Sequence, residues 1–290
     1  MEERDASACM PSAGPQWEQS AVMMFRTRHE RLTSSSGRRF AVGAISTTLF
    51  IGLWYSVTEV TQLVPPLFLP PPDAVFDRLA QFSTSPYQGH TFGGHLLASV
   101  AIVLTGWLVG AVIGVPVGVA MGAFRTFSLV VRPVFNLIRP IPPIAWIPLA
   151  ILWFGLGDGA RVYVVTLAAV VPWILNSYEA VSGTDRVLIY ASRSLGAGTW
   201  RTLWTVVLPT SMPTVVTGAR LALGNAWMTV VAAELLGATA GLGYVALNTR
   251  STLDVDIMMA AMLLIGLVGV VLSEGIRIAE KRMSRWSVTT

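Results

Sequence analysis

Long apolar stretches that carry almost no charge constrain this chain more than any other feature of its sequence. Five of them cover residues 40–60, 96–121, 162–175, 215–236 and 257–273. Most are long enough to cross the hydrocarbon core of a bilayer as a helix, for which about 20 apolar residues are needed. Hydrophobic residues make up 53% of the chain and charged residues 12%, against about 25% charged in ordinary soluble domains. The sequence therefore predicts an all-α integral membrane protein.

A sixth apolar stretch, residues 139–157, is interrupted by prolines. It reads RPIPPIAWIPLAILWFGLG, with prolines at positions 140, 142, 143 and 148. Broken backbone is tolerated at membrane depth only where it is buried in protein or lines a cavity. We therefore predict a third span at about residues 143–154, either as a wall of a solute pathway or as a structural kink. With this span, the chain is expected to cross the membrane about six times.

Basic residues are distributed unevenly among the segments that connect the spans. The loops on one side hold Arg78, Arg161 and Arg250, whereas the tails and the other loops hold most of the remaining Lys and Arg. Positive charge accumulates on the cytoplasmic side, so both termini are predicted to be cytoplasmic. The expected organisation is a basic tail (1–39), a first span and outer loop with a short surface helix (40–94), a core of spans (95–280) and a C-terminal tail (281–290).

Several function classes lack the residues that they require. Lys281 is the sole lysine and is followed by Arg282, so the chain has no phosphate-binding Walker A loop, and another subunit must hydrolyse any ATP. Cys9 is the sole cysteine and the three histidines have no ligand-like spacing, so no metal site is predicted. Nucleic-acid binding would need basic residues clustered on one face, and the sequence shows no such cluster.

Two further classes of membrane protein compete with a transporter subunit driven by a partner. A membrane enzyme would need a cluster of carboxylates or histidines at one depth, and the sequence contains none. A secondary transporter or channel would need inverted repeats or several charged residues within its spans, and these are also missing. The secondary transporter or channel is kept as the alternative from a different class.

Glycines recur at every fourth position along the second predicted span. They are Gly106, Gly110, Gly114, Gly118 and Gly122. On a helix this spacing forms a smooth stripe along which another backbone can approach closely. We predict that the stripe packs against a neighbouring helix rather than against lipid.

A few polar and aromatic residues in the later spans are candidates for a pathway or its gate. They are Trp146, Asn225, Trp227, Thr229 and Glu234. An ionisable residue inside a span is costly and usually marks a function or a buried pair. Glu234 is predicted to pair with an arginine, as a gate or a structural pair. Direct binding of an anion is less expected, because the carboxylate would repel it.

The stretch Thr184–Val216 is polar and helix-patterned, although it lies between two apolar segments. The pattern predicts a short amphipathic helix that ends at Gly196, a second helix, and a proline-marked entry into the next span at Leu208-Pro209. The first helix presents a small apolar face formed by Val187, Leu188, Ala191 and Leu195. Two interpretations fit equally well: the helix pair docks a partner, or it merely connects two spans.

The spacing within this stretch resembles the signature loop of ABC importer permeases. That loop has Glu-Ala-Ala, three residues, Gly, nine residues and Ile-x-Leu-Pro. The matching residues here are Tyr190-Ala191-Ser192, Gly196 and Val206-Val207-Leu208-Pro209. Tyr190 stands in place of the usual Glu and Ser192 in place of the second Ala, so the contact at position 190 must differ. Residues 66–72, 139–157 and 231–244 are similar to the taurine, aliphatic sulfonate and nitrate branch, and most of all to its taurine-type permeases.

The resemblance implies the type I ABC importer permease fold, with a coupling helix pair at residues 184–209 that docks into an ATPase subunit. The implied coupling residues are Arg186, Leu188, Tyr190, Ala191, Arg193, Leu195, Gly196, Leu208 and Pro209. The implied assembly contains a second permease copy, as a homodimer, and two ATPase subunits that bind ATP and Mg²⁺. An extracytoplasmic solute-binding protein completes the assembly. The implied location of the permease is the inner membrane of a bacterium.

The resemblance also implies what this chain does and does not do within that assembly. It binds no cofactor, is not an enzyme, and forms the pathway for a small solute by alternating access. An organic sulfonate such as taurine, or a related small anion, is the expected solute. Nitrate, a small carboxylate and a pyrimidine-type solute are alternatives, because the external binding protein sets most of the specificity in such assemblies.

Overall fold

The computed structural model describes residues 36–84, 86–235 and 237–283. The predicted N-terminal tail lies outside these ranges except for its last residues, 36–39, which begin the first helix. Residues 284–290 of the predicted C-terminal tail also lie outside them. Regular structure in the described ranges is helical, apart from an isolated bridge that pairs Tyr87 with His90. The prediction of an all-α fold is confirmed for this part of the chain.

Eleven α-helices form the described structure. They are α1 Ser36–Tyr55, α2 Pro72–Thr84, α3 Phe92–Ala123, α4 Arg125–Ile138, α5 Ile147–Phe154, α6 Asp158–Ser182, α7 Arg186–Ser194, α8 Thr199–Thr202, α9 Leu208–Glu234, α10 Leu242–Thr252 and α11 Val255–Met283. Wider π-helical turns follow α1 at Ser56–Val60 and α8 at Leu203–Val207, and a tighter 3₁₀ turn precedes α5 at Pro143–Trp146.

Five helical segments in the described ranges are long and apolar enough to cross a membrane. They are Ala41–Val60, Phe92–Ala123, Asp158–Ser182, Thr199–Glu234 and Val255–Ile278. A sixth candidate is a broken one, in which α4 and the stretch Pro143–Phe154 meet at an angle of 84°. The break follows the run of prolines, which cannot donate to a helical ladder. The expected number of about six spans is confirmed if this bent pair counts as one.

The chain divides into two compact units, Met1–Leu63 and Val64–Thr290. In the first, Thr58 is buried, and its Oγ1 donates a hydrogen bond to the carbonyl oxygen of Trp54, 2.9 Å away, within the π-helical turn. The second unit holds the remaining helices and all the sites described below.

The glycine stripe of α3 lies along α6. A methyl group added at Gly106 would lie 2.6 Å from Cγ1 of Val165, and one added at Gly118 would lie 2.5 Å from the carbonyl oxygen of Ile174. Carbon atoms cannot approach that closely without displacement, so both positions admit hydrogen alone. The glycines therefore set the separation of the two helices, and this pair forms the most extensive helix contact of the fold.

The helix α9 packs against both α6 and α3 and completes the core. Its inward face is small, with fully buried Ala222, Ala226 and Val230. The indole Nε1 of Trp107 on α3 donates to the carbonyl oxygen of Ala219 at 2.9 Å. The indole Nε1 of Trp173 on α6 donates in turn to the carbonyl oxygen of Trp107 at 3.3 Å, so the two bonds join three helices at one level.

The segment that holds Arg250 was expected to be a loop, but most of it forms the helix α10. Leu242, Val245 and Thr249 are fully buried on one face of this helix. Their spacing of three and four residues is the helical signal in the sequence. The helix ends at Leu253, whose φ of 59° is left-handed.

Leu208-Pro209 was expected to separate a short helix from the next span, and it does not. Helical structure runs from Thr199 to Glu234, with Pro209 at the second position of α9. The π-helical turn Leu203–Val207 directly precedes it. A proline ring clashes with the carbonyl group four residues earlier, and a widened turn relieves that clash.

Candidate functional site

The helix α7 has defined ends. The Asp185 side chain accepts a hydrogen bond from the Val187 amide at 2.8 Å and so caps the first turn. At the other end Gly196 has a φ of 83°, and its amide donates to the carbonyl oxygen of Arg193 at 2.9 Å. A side chain at position 196 would meet no atom within 4 Å. The requirement for glycine here is therefore one of backbone conformation.

One side of α7 is fixed to the rest of the chain. Ser192 Oγ and Thr202 Oγ1 are both buried and lie 3.0 Å apart, which joins α7 to α8. Val181 at the end of α6 packs with Leu203 and Val207, and Ile189 of α7 packs against this cluster. The orientation of α7 is thus coupled to the end of α6.

Apolar side chains elsewhere on α7 and at the residue after it are uncovered. The exposed fraction is 88% for Leu195, 60% for Tyr190 and 43% for Leu188. The apolar face expected from the sequence is therefore present but is not packed on its own chain. Arg186, Ala191 and Arg193 are also exposed, whereas Leu208 is half-buried and contacts the cluster beneath α7. Pro209 is exposed and lies within α9.

Glu234 lies at the end of α9 with only 1% of its surface exposed. One carboxylate oxygen accepts from Ser99 Oγ at 2.6 Å, and the other accepts from the Gly243 amide at 2.8 Å. The Ser99 Oγ in turn accepts from the Leu242 amide at 2.9 Å. These are free amides at the start of α10, so the carboxylate and the hydroxyl act together as a helix cap.

His95 extends the same network. Its Nδ1 accepts a hydrogen bond from the Gly241 amide at 3.1 Å, and its Nε2 lies 3.0 Å from the carbonyl oxygen of Tyr87. An acceptor at Nδ1 requires the proton to be on Nε2, which then donates to Tyr87. Sequence reasoning did not identify His95 and Ser99 as site residues. Their signal is two polar residues four positions apart at the start of the second apolar stretch.

Glu234 was expected to pair with an arginine, and the structure does not show this pair. Within the described ranges no arginine lies at ion-pair distance from this carboxylate, whose partners are a hydroxyl and a backbone amide. Arg161 is buried nearby in the fold but pairs with Asp158 and donates to the carbonyl oxygen of Ala240 at 3.3 Å. The loop before α10 is therefore held by Arg161 through Ala240 and by the cap of Glu234, Ser99 and His95.

The candidate pathway residues do not line a single cavity. Trp146 and Asn225 line one cavity of about 370 Å³, formed by α4, α6, α9 and the turn before α5. Trp227 lies in a separate groove of about 620 Å³ between α9 and α11, and its Nε1 donates to the carbonyl oxygen of Ile265 at 3.1 Å. Thr229 is half-buried on α9.

A third cavity, of about 640 Å³, lies between α4, the end of α3 and the end of α6. Its polar lining includes Arg125, Arg132, Asn136 and Tyr178. The guanidinium carbon of Arg132 lies 5.9 Å from the centre of the Tyr178 ring, which is within the range of a cation–π contact. This cavity adjoins the ring contact between Phe124 and Trp200, which links α4 to the α7–α8 region.

Comparison with known proteins places these features in one family. Residues 110–285 match the model described as "Binding-protein-dependent transport system inner membrane component". The chain is 34% identical over 247 residues to the taurine transport system permease protein TauC of Escherichia coli K12, which covers 85% of this chain and 89% of that protein. It is 27% identical over 271 residues to the putative aliphatic sulfonates transport permease protein SsuC of Bacillus subtilis 168, covering 92% and 96%.

A solved structure shares the helical arrangement. This structure, of the MetNI methionine ABC transporter in inward-facing conformations, superimposes with a TM-score of 0.55 at 25% identity over 67% of this chain and 94% of that chain. The family match spans more than half of the sequence, and the TauC match exceeds 30% identity over most of both chains. The chain therefore belongs to the family of binding-protein-dependent transport system inner membrane components.

Proposed function

We propose that this chain forms the transmembrane pathway of an ABC importer that carries a small organic sulfonate such as taurine. Membership of the family makes it a non-catalytic permease subunit, with ATP hydrolysis in a separate subunit. The similarity to TauC over 85% of the chain carries the assignment of the solute. The similarity to SsuC supports the same chemical class, because both names specify a sulfonate.

We further propose that α7 is the coupling helix. Its uncovered apolar side chains, Leu188, Tyr190 and Leu195, suit a cleft on another protein, because an exposed apolar patch usually marks an interaction surface. Its other side is joined to α6 and α8 through Ile189 and Ser192. A force on α7 would therefore be transmitted to the spans instead of being absorbed by a flexible loop.

The proposed assembly pairs this chain with a second copy of itself. Two ATPase subunits would bind ATP and Mg²⁺ on the cytoplasmic side, and a solute-binding protein would deliver the sulfonate from the outside. Closure of the ATPases would move α7 and turn the central cavity outward; hydrolysis would reset it. The distribution of basic residues supports cytoplasmic termini and a cytoplasmic α7.

Among the candidate pathway residues, Trp146 and Asn225 are the best supported. They share a cavity between four helical elements, and Asn225 offers an amide to a sulfonate oxygen. Glu234 is proposed to position the loop before α10 at a gate, because both of its oxygens already accept hydrogen bonds and it is buried. A direct contact with the anion is not proposed for it.

Uptake into liposomes tests this function. The permease, its ATPase and its binding protein would be reconstituted together, and the initial rate of uptake measured for taurine, ethanesulfonate, nitrate, acetate and uracil. ATP-dependent uptake of the two sulfonates, with slower uptake of the others, is expected. Preferential uptake of nitrate, acetate or uracil would contradict the proposal that the solute is a sulfonate. Solute flux that does not require the ATPase would contradict the proposal that the chain is part of an ATP-driven importer.

A further inference from the structure

Three arginines occur at intervals of seven residues on and just after α4. Arg125 begins the helix, Arg132 lies in its middle and Arg139 follows its last residue. Seven residues correspond to almost two turns of an α-helix, so the three positions share one stripe. With a rise of about 1.5 Å per residue, the stripe extends over about 21 Å along the helix.

The arginine stripe contributes to the lining of two cavities along α4. Arg125 and Arg132 line the cavity of about 640 Å³, and Arg139 lines the cavity of about 370 Å³ that contains Asn225. Neither lining includes an aspartate or a glutamate. The lining of each cavity therefore carries arginine charge without a carboxylate to offset it, and both cavities lie along the same helix.

The three guanidinium groups also lack carboxylate partners. No ion pair involves them within the described ranges, whereas Arg220 lies 3.7 Å from Glu280, and Arg277 lies 2.5 Å from Glu274. Arg132 has the face of Tyr178 beside it, which leaves its N–H donors free. All three arginines are exposed in this chain, so their donors are accessible to an anion.

We propose that Arg125, Arg132 and Arg139 form an anion track along which the sulfonate leaves the central cavity toward the cytoplasm. This inference rests on the proposed function and specifies how its pathway recognises charge. A guanidinium group donates two parallel hydrogen bonds to an anionic group with several oxygens, which fits a sulfonate. Three spaced sites let the anion bind at each position and still move on, as conduction requires.

A competing explanation assigns the three arginines to orientation of the chain in the membrane. Orientation in the membrane depends on how many positive charges lie near the spans. It does not depend on whether those charges are aligned on one face of a helix. The two explanations predict different rates of solute uptake when the positive charge at one position is removed by substitution and then restored by a chemical reagent.

Charge restoration on single cysteines tests the track. In a Cys9→Ser background, Arg132→Cys and Arg139→Cys would each be reconstituted with the ATPase and the binding protein, with Arg277→Cys as the matched control. Each protein would then be treated with a methanethiosulfonate that carries either a trimethylammonium or a sulfonate group. The readouts are the initial rate of ethanesulfonate uptake and ATP hydrolysis stimulated by the loaded binding protein. Ethanesulfonate is the probe because it has no ammonium group of its own.

The track predicts a specific pattern. Uptake by Arg132→Cys and Arg139→Cys falls by about tenfold or more, the effect of losing one hydrogen bond to a charged group, while stimulated ATP hydrolysis remains. The cationic reagent restores a large part of the uptake, and the anionic reagent lowers it further. Arg277→Cys transports normally before and after both reagents. Arg132→Lys, which keeps the charge, retains more uptake than Arg132→Cys.

Other results would overturn the track. Undiminished uptake by both cysteine variants would do so, as would equal effects of the two reagents. If Arg132→Lys loses both uptake and stimulated ATP hydrolysis, as well as Arg132→Cys, then Arg132 has a structural role. Position 132 would then not belong to the track. If the unmodified assembly shows no ATP-dependent uptake of ethanesulfonate but carries another solute, the proposed sulfonate function fails instead, independently of the variants.

Discussion

Glu234 accepts a hydrogen bond on each carboxylate oxygen, one from Ser99 and one from the Gly243 amide. A carboxylate inside a span is costly on its own, so these partners and the free amides of α10 explain why it is tolerated there. The glycines around it are part of the same arrangement, because a methyl group added at Gly241 would clash with the carboxyl group of Glu234. A side chain that looked like an isolated charge in the sequence is thus the cap of a helix.

Glu234→Gln should destabilise the protein even though it preserves the shape of the side chain. The amide can serve one partner as an acceptor but presents an N–H group to the other, which leaves a buried donor unsatisfied. We expect a loss of about 1–3 kcal/mol in the free energy of unfolding, measured as a lower melting temperature in detergent. Glu274→Gln, on an exposed pair with Arg277, should change stability by less than about 1 kcal/mol.

The same variant tests the proposed gate. If Glu234→Gln keeps normal coupled uptake and normal stimulation of ATP hydrolysis, the gating role of Glu234 is removed and its role as a cap alone remains. If uptake is lost while the protein stays folded and the ATPase stays bound, the gating role stands.

The contact between α3 and α6 depends on glycine at defined positions. The substitution Gly118→Ala would place a methyl group 2.5 Å from the carbonyl oxygen of Ile174, so the two helices must separate. The expected cost is about 1–3 kcal/mol, as for other overpacked sites. Gly275→Ala is the matched control, because the added methyl group meets nothing within 4 Å. Thermal unfolding should show a marked drop for the first variant and little change for the second; equal effects would contradict the packing role of the stripe.

The end of α7 depends on the backbone conformation at Gly196. Alanine there must adopt a φ near 83°, which costs about 1–2 kcal/mol, or the helix end must change direction. We expect Gly196→Ala to weaken co-purification of the ATPase subunit. Gly198→Ala is its control, since Gly198 has a φ of −72° and open space around it. If both variants retain the ATPase equally, the geometry at Gly196 does not determine docking.

The whole fold shows which features local sequence can predict. The apolar runs and the glycine spacing on α3 predicted the long helices, since lipid leaves few alternatives for such segments. The ends of the helices were less predictable: α6 begins at Asp158 and α11 continues to Met283, so charged residues that ended the apolar runs did not end the helices. Helical backbone continues there because its hydrogen bonds do not depend on the polarity of the side chains.

The helix cap and the cavities, which are formed by residues far apart in the sequence, could not be predicted from local sequence patterns. The start of α10 is capped by Ser99, which lies 143 positions before Leu242 in sequence, and no local pattern joins the two. Trp146 and Asn225 were both candidates and share a cavity, but Trp227 was grouped with them by sequence position and lies in another groove. The exposed apolar face of α7 was predicted from spacing, whereas the buried contacts that anchor it required the fold.

The distribution of arginines predicts the direction of the chain across the membrane. Two variants in a Cys9→Ser background test it, Gln88→Cys in the turn before α3 and Gly198→Cys at the start of α8. In intact cells, a membrane-impermeant thiol reagent should label the first and not the second. Labelling of Gly198→Cys from outside would reverse the orientation and place α7 out of reach of any cytoplasmic ATPase.

The central proposal is that an ATPase subunit drives this permease through α7. The most direct measurement is cross-linking at Leu188→Cys in the Cys9→Ser background, with a bifunctional thiol-to-amine reagent applied to the reconstituted importer. We predict a cross-linked product of permease and ATPase at Leu188→Cys, with no such product at Gln88→Cys. We also predict that Leu188→Asp abolishes both ATPase retention and sulfonate uptake. Normal ATPase retention and uptake by Leu188→Asp, without a cross-link at position 188, would contradict the account.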